Sequence, residues 1–245
     1  MTLLELRDVG LNSQSLLPPG QRSPKQQQIL QSINLSIAPG ERIGLVGPPG
    51  SGKTSLLRLL NGLTSPSQGD LLWKGARVSD ASMTELRREI VLVPALPQFF
   101  GMSVRGTLAY PLGLRGLSPE VQAQAIADLG EDIPKAWLDR PASGLSSGEQ
   151  RWVSLIRGCL CNPQVLLLDE PMNHGDAQQG LRIAKRLARS PEMAVVIVSR
   201  QLGWLETVVD RVVCLDRGLV QFDGPSQGFD FTQSWVVPDQ DDGWE

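Results

Sequence analysis

Apolar and polar residues alternate in two stretches near the start of the chain. Residues 2–11, TLLELRDVGL, predict a strand near the edge of a sheet. Residues 29–41, ILQSINLSIAPGE, place Ile33, Leu35 and Ile37 on one face and end in a Pro-Gly turn. Because such strands present one apolar and one polar face, we expect them at an antiparallel, half-buried edge of the structure.

Further along, the apolar residues form short continuous runs instead. These runs are typical of buried strands, and they occur at 42–47, 88–94, 165–170 and 194–200. Helical spacing follows the first and third runs, within 48–63 and 176–189, and a strand pair lies within 211–222. Strands that alternate with helices predict an α/β fold with a mainly parallel sheet.

The pattern changes between the second and third buried runs. Residues 95–159 contain no clear strand pattern, and their helical patterns lie at 118–130 and 146–160. We therefore predict an α/β core from 1–94 and 160–224, with an inserted helical lobe from 95–159. The remaining residues, 225–245, form an acidic tail with scattered aromatics, which would dock on the body, dock on a partner or remain mobile.

Composition and charge narrow the classes of function. The net charge of −3 and the pI of about 5.3 argue against an electrostatic grip on nucleic acid. No apolar run approaches the roughly 18 residues that span a bilayer, and the charged start MTLLELRDVG does not suit a signal peptide. Cys159, Cys161 and Cys214 have no histidine at metal-ligand spacing, so we expect packing roles in a reducing compartment.

A glycine-rich turn lies between the first buried run and the helix that follows. Its residues fit G-x-x-x-x-G-K-[ST]: Gly47, Pro48, Pro49, Gly50, Ser51, Gly52, Lys53 and Thr54. Glycines let backbone N–H groups turn toward a phosphate, and the helix points its positive end at the same anion. Lys53 would contact the β- and γ-phosphates, and the Thr54 hydroxyl would bind Mg²⁺. The turn therefore predicts an ATP site.

Two carboxylates end the apolar run at 165–170. If this strand lies beside the strand of the phosphate loop, Asp169 holds Mg²⁺ directly or through water. Glu170 would then polarise a water for in-line attack on the γ-phosphate. Together with Lys53 and Thr54, this acid pair predicts ATP hydrolysis.

A second turn with phosphate-binding chemistry begins the helix at 146–160. Ser146, Ser147, Gly148 and Glu149 offer hydroxyls, backbone N–H groups and a helix N-terminus. One nucleotide does not need receptors at opposite ends of a molecule, so each turn would close on the ATP of a second copy in a head-to-tail dimer. The alternative is an ordinary helix cap, for which Ser-Ser-Gly-Glu is adequate.

These motifs together resemble those of ABC transporter ATP-binding subunits, over residues 3–222. GPPGSGKTS, which extends to Ser55, is similar to Walker A, VLLLDEP to Walker B, LSSGEQ to the signature, and DEPMNHGD to DEPTSALD, with Asp176 at its end. The resemblance implies two lobes and a head-to-tail dimer, here a homodimer, that encloses two ATP·Mg²⁺. It also implies an integral membrane transporter subunit, which would hold the chain at the cytoplasmic face of a membrane.

Two positions depart from the family pattern near the γ-phosphate. Ala95 stands where the family has a Gln that contacts Mg²⁺. Either Gln98, three residues on, substitutes for that Gln through a shifted loop, or the contact is missing. Arg200 stands where the family has a His that contacts the γ-phosphate. Arg200 would hold this phosphate as a permanent cation, or else turn to solvent or pair with an acid.

Two further features of the sequence bear on the family likeness. No Phe, Tyr or Trp lies between Met1 and Leu72 to stack on adenine, so Leu16, Leu17 or a proline of the surface excursion at 12–28 would cover the base. The chain's one histidine, His174, is expected at a surface or interface.

The residues and the resemblance together predict an ATPase subunit that drives transport by a separate membrane subunit. The alternative is a nucleotide-gated regulatory or scaffold protein that hydrolyses ATP poorly, because Ala95 and Arg200 replace the usual side chains. A soluble ATPase of DNA repair or translation is disfavoured by the single short nucleotide domain. The apolar group Phe99, Phe100, Tyr110 and Leu112 either receives a helix of the membrane subunit or packs within the lobe.

Overall fold

The computed structural model describes residues 2–16, 27–79, 82–172 and 177–232. The strands within these ranges are β1 (Leu4–Asn12), β2 (Gln28–Ile37), β3 (Arg42–Val46), β4 (Gln68–Trp73), β5 (Ala76–Arg77), β6 (Ile90–Val93), β7 (Val165–Asp169), β8 (Ala194–Val198), β9 (Arg211–Asp216) and β10 (Leu219–Pro225). The α-helices are α1 (Lys53–Leu60), α2 (Met83–Glu89), α3 (Val104–Leu114), α4 (Pro119–Ala127), α5 (Ser147–Leu160), α6 (Ala177–Ala188) and α7 (Leu202–Glu206). None of these helices is both long and apolar enough to span a membrane.

Six strands form the central sheet, in the order β10-β9-β3-β8-β7-β6. The pairs from β9 to β6 are parallel, and β10 adds an antiparallel edge through the tight turn after Asp216. Every residue of β7 and β8 is buried, as continuous apolar runs predict for strands covered on both faces. The predicted α/β fold with a mainly parallel sheet is therefore confirmed.

Four strands form a second, antiparallel sheet in the order β2-β1-β4-β5. Ile33, Leu35 and Ile37 of β2 are all buried, so the alternation read from the sequence identifies the correct face. The strand that we predicted near an edge, β1, lies second in this sheet and pairs with both β2 and β4.

The apolar core is divided by the central sheet, because neighbouring residues of each strand point to opposite faces. Leu45 of β3 belongs to a cluster with the antiparallel sheet and α1, whereas Val46 belongs to a cluster with α5, α6 and α7. The carboxyl ends of β3, β7 and β8 meet at one edge between these two clusters. This edge is where ligands bind in open α/β sheets.

Residues 95–159 contain α3, α4, most of α5 and short 3₁₀ turns, with a single isolated bridge between Ser103 and Pro141. The helices α3 and α5 pack against each other, and α5 also packs on β6 and β7. The patterns at 118–130 and 146–160 correctly located α4 and α5. The limits of a separate lobe at 95–159 stay a prediction.

Helices α2, α3 and α7 were not predicted. Pro111 and two glycines interrupt the pattern of α3, while α2 and α7 have seven and five residues and are too short to show a clear period. The start of the tail packs on the body, with the Phe222 and Phe229 rings 5.5 Å apart and Phe229 and Phe231 5.1 Å apart. The rest of the tail lies outside the described residues, as does most of the excursion at 12–28.

Candidate functional site

The predicted phosphate loop runs from the end of β3 to the start of α1. Gly47, Gly50 and Gly52 all have positive φ, the left-handed region that side chains disfavour. A Cβ on Gly47 would lie 1.9 Å from the Leu215 carbonyl oxygen, so no larger residue fits there. No side chain caps the N-terminus of α1, which leaves its first N–H groups directed toward the loop.

Lys53 folds back over this loop. Its ammonium donates to the carbonyl oxygens of Gly47 at 2.7 Å and Pro48 at 2.8 Å, and to Ser51 Oγ at 3.2 Å. Burial lowers the pKa of Lys53, while the nearby Glu170 and Asp169 raise it. These three bonds close the loop into a ring, which the buried Ser51 anchors in the body of the protein. The ammonium places a positive charge at the opening of the loop.

The end of β7 brings the first predicted carboxylate to the loop. Thr54 Oγ1 donates to Asp169 Oδ2 at 3.0 Å. Burial raises the pKa of Asp169, and the hydrogen bond from Thr54 lowers it. Adjacent ligands of an octahedral Mg²⁺ with 2.0–2.1 Å bonds lie about 2.9 Å apart, so these two oxygens fit neighbouring positions around that ion. Mg²⁺ normally completes its shell with water and phosphate, which two protein ligands leave room for.

The second carboxylate lies between β7 and β8. The backbone of Glu170 has φ +47, and its N–H donates to the Val198 carbonyl oxygen at 2.9 Å. Its Oε2 accepts a bond from the Arg200 backbone N–H at 3.2 Å, and its Oε1 lies 3.4 Å from Arg200 Nε. Burial raises the pKa of Glu170, and the bond and charge of Arg200 lower it.

These groups share one cavity of about 710 Å³. The predicted residues that line it are Gly47, Pro49, Gly50, Gly52, Lys53, Thr54, Ser55, Asp169, Glu170 and Arg200. Pro48 and Ser51 support it from behind as acceptors for Lys53. A glycine loop, a helix N-terminus, a lysine and two carboxylates in one cavity can bind a polyphosphate with its metal and activate a water beside it.

Comparison with known proteins agrees with this geometry. A family model described as ABC transporter matches residues 30–173, more than half of the chain. The glutamine transport ATP-binding protein GlnQ of Escherichia coli (strain K12) is 33% identical over 213 residues, which cover 82% of this chain and 86% of GlnQ.

This chain belongs to the ABC transporter family.

Other relatives and structures extend the likeness. The methionine import ATP-binding protein MetN 1 of Paraburkholderia xenovorans is 32% identical over 208 residues, which cover 80% of this chain and 60% of that protein. The chain also superposes on the dimeric, ADP- and Pi-bound ATP-binding cassette MJ0796 with a TM-score of 0.80 at 22% identity, covering 93% of this chain and 100% of that chain. The fold is that of an ABC-type P-loop NTPase.

The turn that resembles the ABC transporter signature lies outside the cavity of its own chain. Ser146 caps α5, with its Oγ 3.4 Å from the Glu149 N–H and 2.8 Å from Glu149 Oε2, while the Ser146 N–H donates to the same Oε2 at 2.8 Å. This is a complete capping box, so the cap that we kept as an alternative is present. Whether Ser146, Ser147, Gly148 and Glu149 also bind nucleotide in a second copy stays a prediction.

The positions that depart from the ABC transporter pattern also have definite places. Ala95 lines the cavity, whereas Gln98 is exposed, is not among the lining residues, and has its carbonyl oxygen held by Arg157 at 2.8 Å. Arg200 pairs with an acid, which was one of the predicted alternatives. His174, Asp176 and Leu17 lie outside the described residues.

Sequence reasoning missed four apolar residues of the cavity wall, Ile29, Val198, Leu202 and Phe231. Ile29 begins the predicted second strand, so its place beside the phosphate loop could have been inferred from the fold. Phe231 comes from the tail and reaches the cavity through its ring contact with Phe229. No local pattern in the sequence indicates that arrangement.

Proposed function

We propose that this chain binds and hydrolyses ATP in a head-to-tail homodimer and thereby drives a separate membrane transporter subunit. The observation that carries the proposal is the convergence of Lys53, Thr54, Asp169 and Glu170 on one cavity at the carboxyl ends of β3 and β7. The names of GlnQ and MetN 1, which describe transport and import ATP-binding proteins, support the same function.

The loop and helix N-terminus would hold the phosphates. Lys53 already has three oxygen acceptors in its own loop, so phosphate oxygens can replace acceptors that hold its ammonium in place. The partial positive charge at the start of α1 adds to this attraction. We infer that triphosphate binding needs little rearrangement of the loop.

Thr54 and Asp169 would hold Mg²⁺, for which their oxygens are suitably spaced. When bound, this ion neutralises charge on the β- and γ-phosphates. The protein's own part is to present one hydroxyl and one carboxylate from two different elements, α1 and β7.

Glu170 would accept the proton of the attacking water. Its carboxylate lines the cavity one residue beyond Asp169, and burial makes it a stronger base by raising its pKa. A water held between Glu170 and the terminal phosphate would be oriented for in-line attack. Its proton would pass to the carboxylate as its oxygen bonds to the γ-phosphorus, while the bond from that phosphorus to the β–γ bridging oxygen breaks and this oxygen leaves with ADP.

A second copy of the chain would complete each site. The turn at Ser146 is exposed and lies outside the cavity of its own chain, although its hydroxyls and N–H groups suit a phosphate. This turn is joined to the segment after β7, since Gln179 of α6 donates to the Gly148 carbonyl oxygen at 3.3 Å. In a head-to-tail dimer, the turn of one copy would lie over the terminal phosphate bound by the other copy.

The membrane subunit would dock beside α3. Phe100 and Tyr110 are 74% and 47% exposed with ring centroids 6.4 Å apart, and Leu96 and Leu114 add exposed apolar surface. Only part of the predicted apolar group takes part, because Phe99 and Leu112 are buried in the body. Cross-linking from Tyr110→Cys to the membrane subunit tests this docking, which would place the chain peripherally at the cytoplasmic face.

A second candidate function is a nucleotide-gated regulatory protein with little hydrolysis. Two observations favour it: Ala95 presents only a methyl group to the cavity, and Glu170 is already paired with Arg200. Under this alternative, ATP would still dimerise the chain, but phosphate release would stay near background even with the membrane subunit.

Steady-state phosphate release by the complex with its membrane subunit tests the main proposal. Glu170→Gln keeps the size of the side chain and removes the base, so we expect a loss of roughly 10²–10⁴-fold in rate with Mg·ATP affinity retained. Glu192→Gln, an exposed carboxylate elsewhere on the surface, is the matched control and should not change the rate. An equal rate in Glu170→Gln and the original chain would contradict the assignment of Glu170.

A further inference from the structure

Helix α6 presents a row of polar side chains to α5. Gln179, Arg182 and Arg186 lie three or four residues apart and therefore share one face of α6. Gln179 donates to the Gly148 carbonyl oxygen at 3.3 Å, in the first turn of α5. One turn further along both helices, Arg182 Cζ lies 4.2 Å from the centroid of the Trp152 ring. These contacts bind α5 to α6 from the turn at Ser146 onward.

Asp132 joins the same two helices from the turn Gly130–Asp132. Its Oδ2 accepts a bond from Arg189 Nη1 at 2.7 Å and lies 3.6 Å from Arg186 Nε. Its carbonyl oxygen accepts a bond from Trp152 Nε1 at 2.6 Å. This one residue therefore contacts α6 through its side chain and α5 through its backbone.

Most of this arrangement is buried. The side chains of Asp132 and Arg186 are 12% and 13% exposed, and Trp152 is buried beneath Arg182. A buried ion pair holds its partners firmly, because removal of either one leaves the other charge unpaired and away from water. Arg189 is 61% exposed and contributes less. We call Asp132, Trp152, Arg182 and Arg186 the interhelix clamp.

The interhelix clamp connects α5 to a helix that is itself fixed on the central sheet. Ile183 and Leu187 of α6 are buried in the same cluster as Val195 and Ile197 of β8. Because α5 begins at the turn at Ser146, any contact that holds α5 on α6 also sets where this turn lies relative to the sheet.

We propose that Asp132 is a positioning residue for the turn at Ser146. It holds α5 on α6, so that the turn of one copy is in place before it meets the phosphates bound by the other copy. The inference rests on the proposed function, because it requires the head-to-tail dimer. It deepens that function by assigning a role to residues outside the motifs that the sequence analysis singled out.

The physical reason is the cost of ordering. Groups that are already ordered lose little further freedom on association, so a surface held in place binds more tightly than a mobile one. None of the four residues of the interhelix clamp is among the lining residues of the cavity. The clamp therefore acts on the dimer without contacting the nucleotide held by its own chain.

A purely structural role for Asp132 makes a different prediction. Asp132 would then add only to the stability of the fold, and its loss would lower the melting temperature. The strength of the dimer would stay the same at temperatures at which the chain is folded. Measurement of dimerisation well below the melting temperature separates the two roles.

Sedimentation of the full chain carrying Glu170→Gln, with saturating Mg·ATP, provides the test. Asp132→Asn keeps the size of the side chain and removes the charge that holds Arg186. We expect it to weaken ATP-dependent dimerisation by roughly tenfold, because each copy must then order its turn on association. Asp132→Glu keeps the carboxylate and should retain most of the dimer. Asp139→Asn, whose carboxylate is 83% exposed and pairs with Arg105, is the matched control and should leave the dimer unchanged.

Arg182 offers a second variant that leaves the buried ion pair intact. Arg182→Met removes the cation from the Trp152 ring and keeps a long side chain, so we expect dimerisation to weaken several-fold with little change in melting temperature. Lys185→Met removes an exposed cation of the same helix and is its control. Calorimetry with Mg·ADP should give one affinity for all of these variants, because the phosphate loop lies outside the interhelix clamp.

The outcomes distinguish this inference from the proposed function. Unchanged dimerisation in Asp132→Asn, or in Arg182→Met should Asp132→Asn fail to fold, would overturn the inference and leave the proposed function intact. Equal weakening by the control variants, or a parallel loss of Mg·ADP affinity, would overturn it as well. Failure of the Glu170→Gln chain to dimerise with Mg·ATP would instead overturn the head-to-tail dimer of the proposed function, and the inference with it.

Discussion

Ser146 can be a helix cap, a phosphate ligand or both, and its substitution by alanine separates these roles. Ser146→Ala removes a hydroxyl that lies 3.4 Å from the Glu149 N–H and 2.8 Å from Glu149 Oε2. Loss of a serine N-cap costs ~1 kcal/mol. In a chain of 245 residues, that loss lowers the melting temperature by about 2–4 °C.

A phosphate contact across the dimer adds a second effect of predictable size. A hydrogen bond to a charged group contributes ~1.5–3 kcal/mol, and a symmetric dimer would make it twice, for a total of ~3–6 kcal/mol. At 1.4 kcal/mol for each factor of ten, Ser146→Ala should weaken ATP-dependent dimerisation by roughly 10²–10⁴-fold. The stability loss measured without nucleotide does not account for a change of that size.

The assay is sedimentation of the Glu170→Gln variant with saturating Mg·ATP, with and without Ser146→Ala. Ser103→Ala is the matched control, because Ser103 caps α3 by accepting a bond from the Gly106 N–H at 3.1 Å. We expect both serine substitutions to lower the melting temperature, and Ser146→Ala alone to weaken the dimer. Dimerisation that is unchanged by Ser146→Ala, or weakened equally by Ser103→Ala, would refute the phosphate role.

Two further substitutions test the fold and the loop. Arg211 is mostly buried and donates to the carboxylates of Asp223 and Glu41 at 2.5–2.8 Å. The Arg211→Ala substitution should therefore lower the free energy of unfolding, measured by urea titration, by ~2 kcal/mol. The exposed Arg7 is its control, and an equal loss for Arg7→Ala would contradict the role of burial. Gly47→Ala should abolish calorimetric Mg·ATP binding because its Cβ would meet the Leu215 carbonyl oxygen, whereas Gly144→Ala, whose Cβ meets open space, should retain it.

Much of the fold could be predicted because local patterns report burial directly. The runs that became β7 and β8 are buried at every position, β3 is buried from Ile43 to Val46, and β6 is buried at Ile90 and Val93 and half-buried between them. The phosphate loop could also be predicted from its sequence, because positive φ values and close backbone contacts require glycine at fixed positions in it. In both cases, the residues that matter are adjacent in sequence.

The remainder depends on contacts between distant residues. Phe231 reaches the cavity from the tail, and Arg200 finds Glu170 only because β7 and β8 are neighbours in the sheet. The sequence could offer an acid as a partner for Arg200 but could not select which acid. Likewise, the sequence does not show which of the adjacent Phe99 and Phe100 is buried, although the structure buries the first and exposes the second.

The position of Phe231 divides the cavity wall into two parts, one formed by the shared family motifs and one formed by the tail, and these two parts can vary independently between relatives. The loop and the acid pair lie inside the span that the family model matches, 30–173, whereas Phe231 lies well beyond it. Substitutions at the far end of the chain can therefore reshape the wall without altering the shared chemistry. Relatives with identical loops and carboxylates need not hold the nucleotide equally tightly.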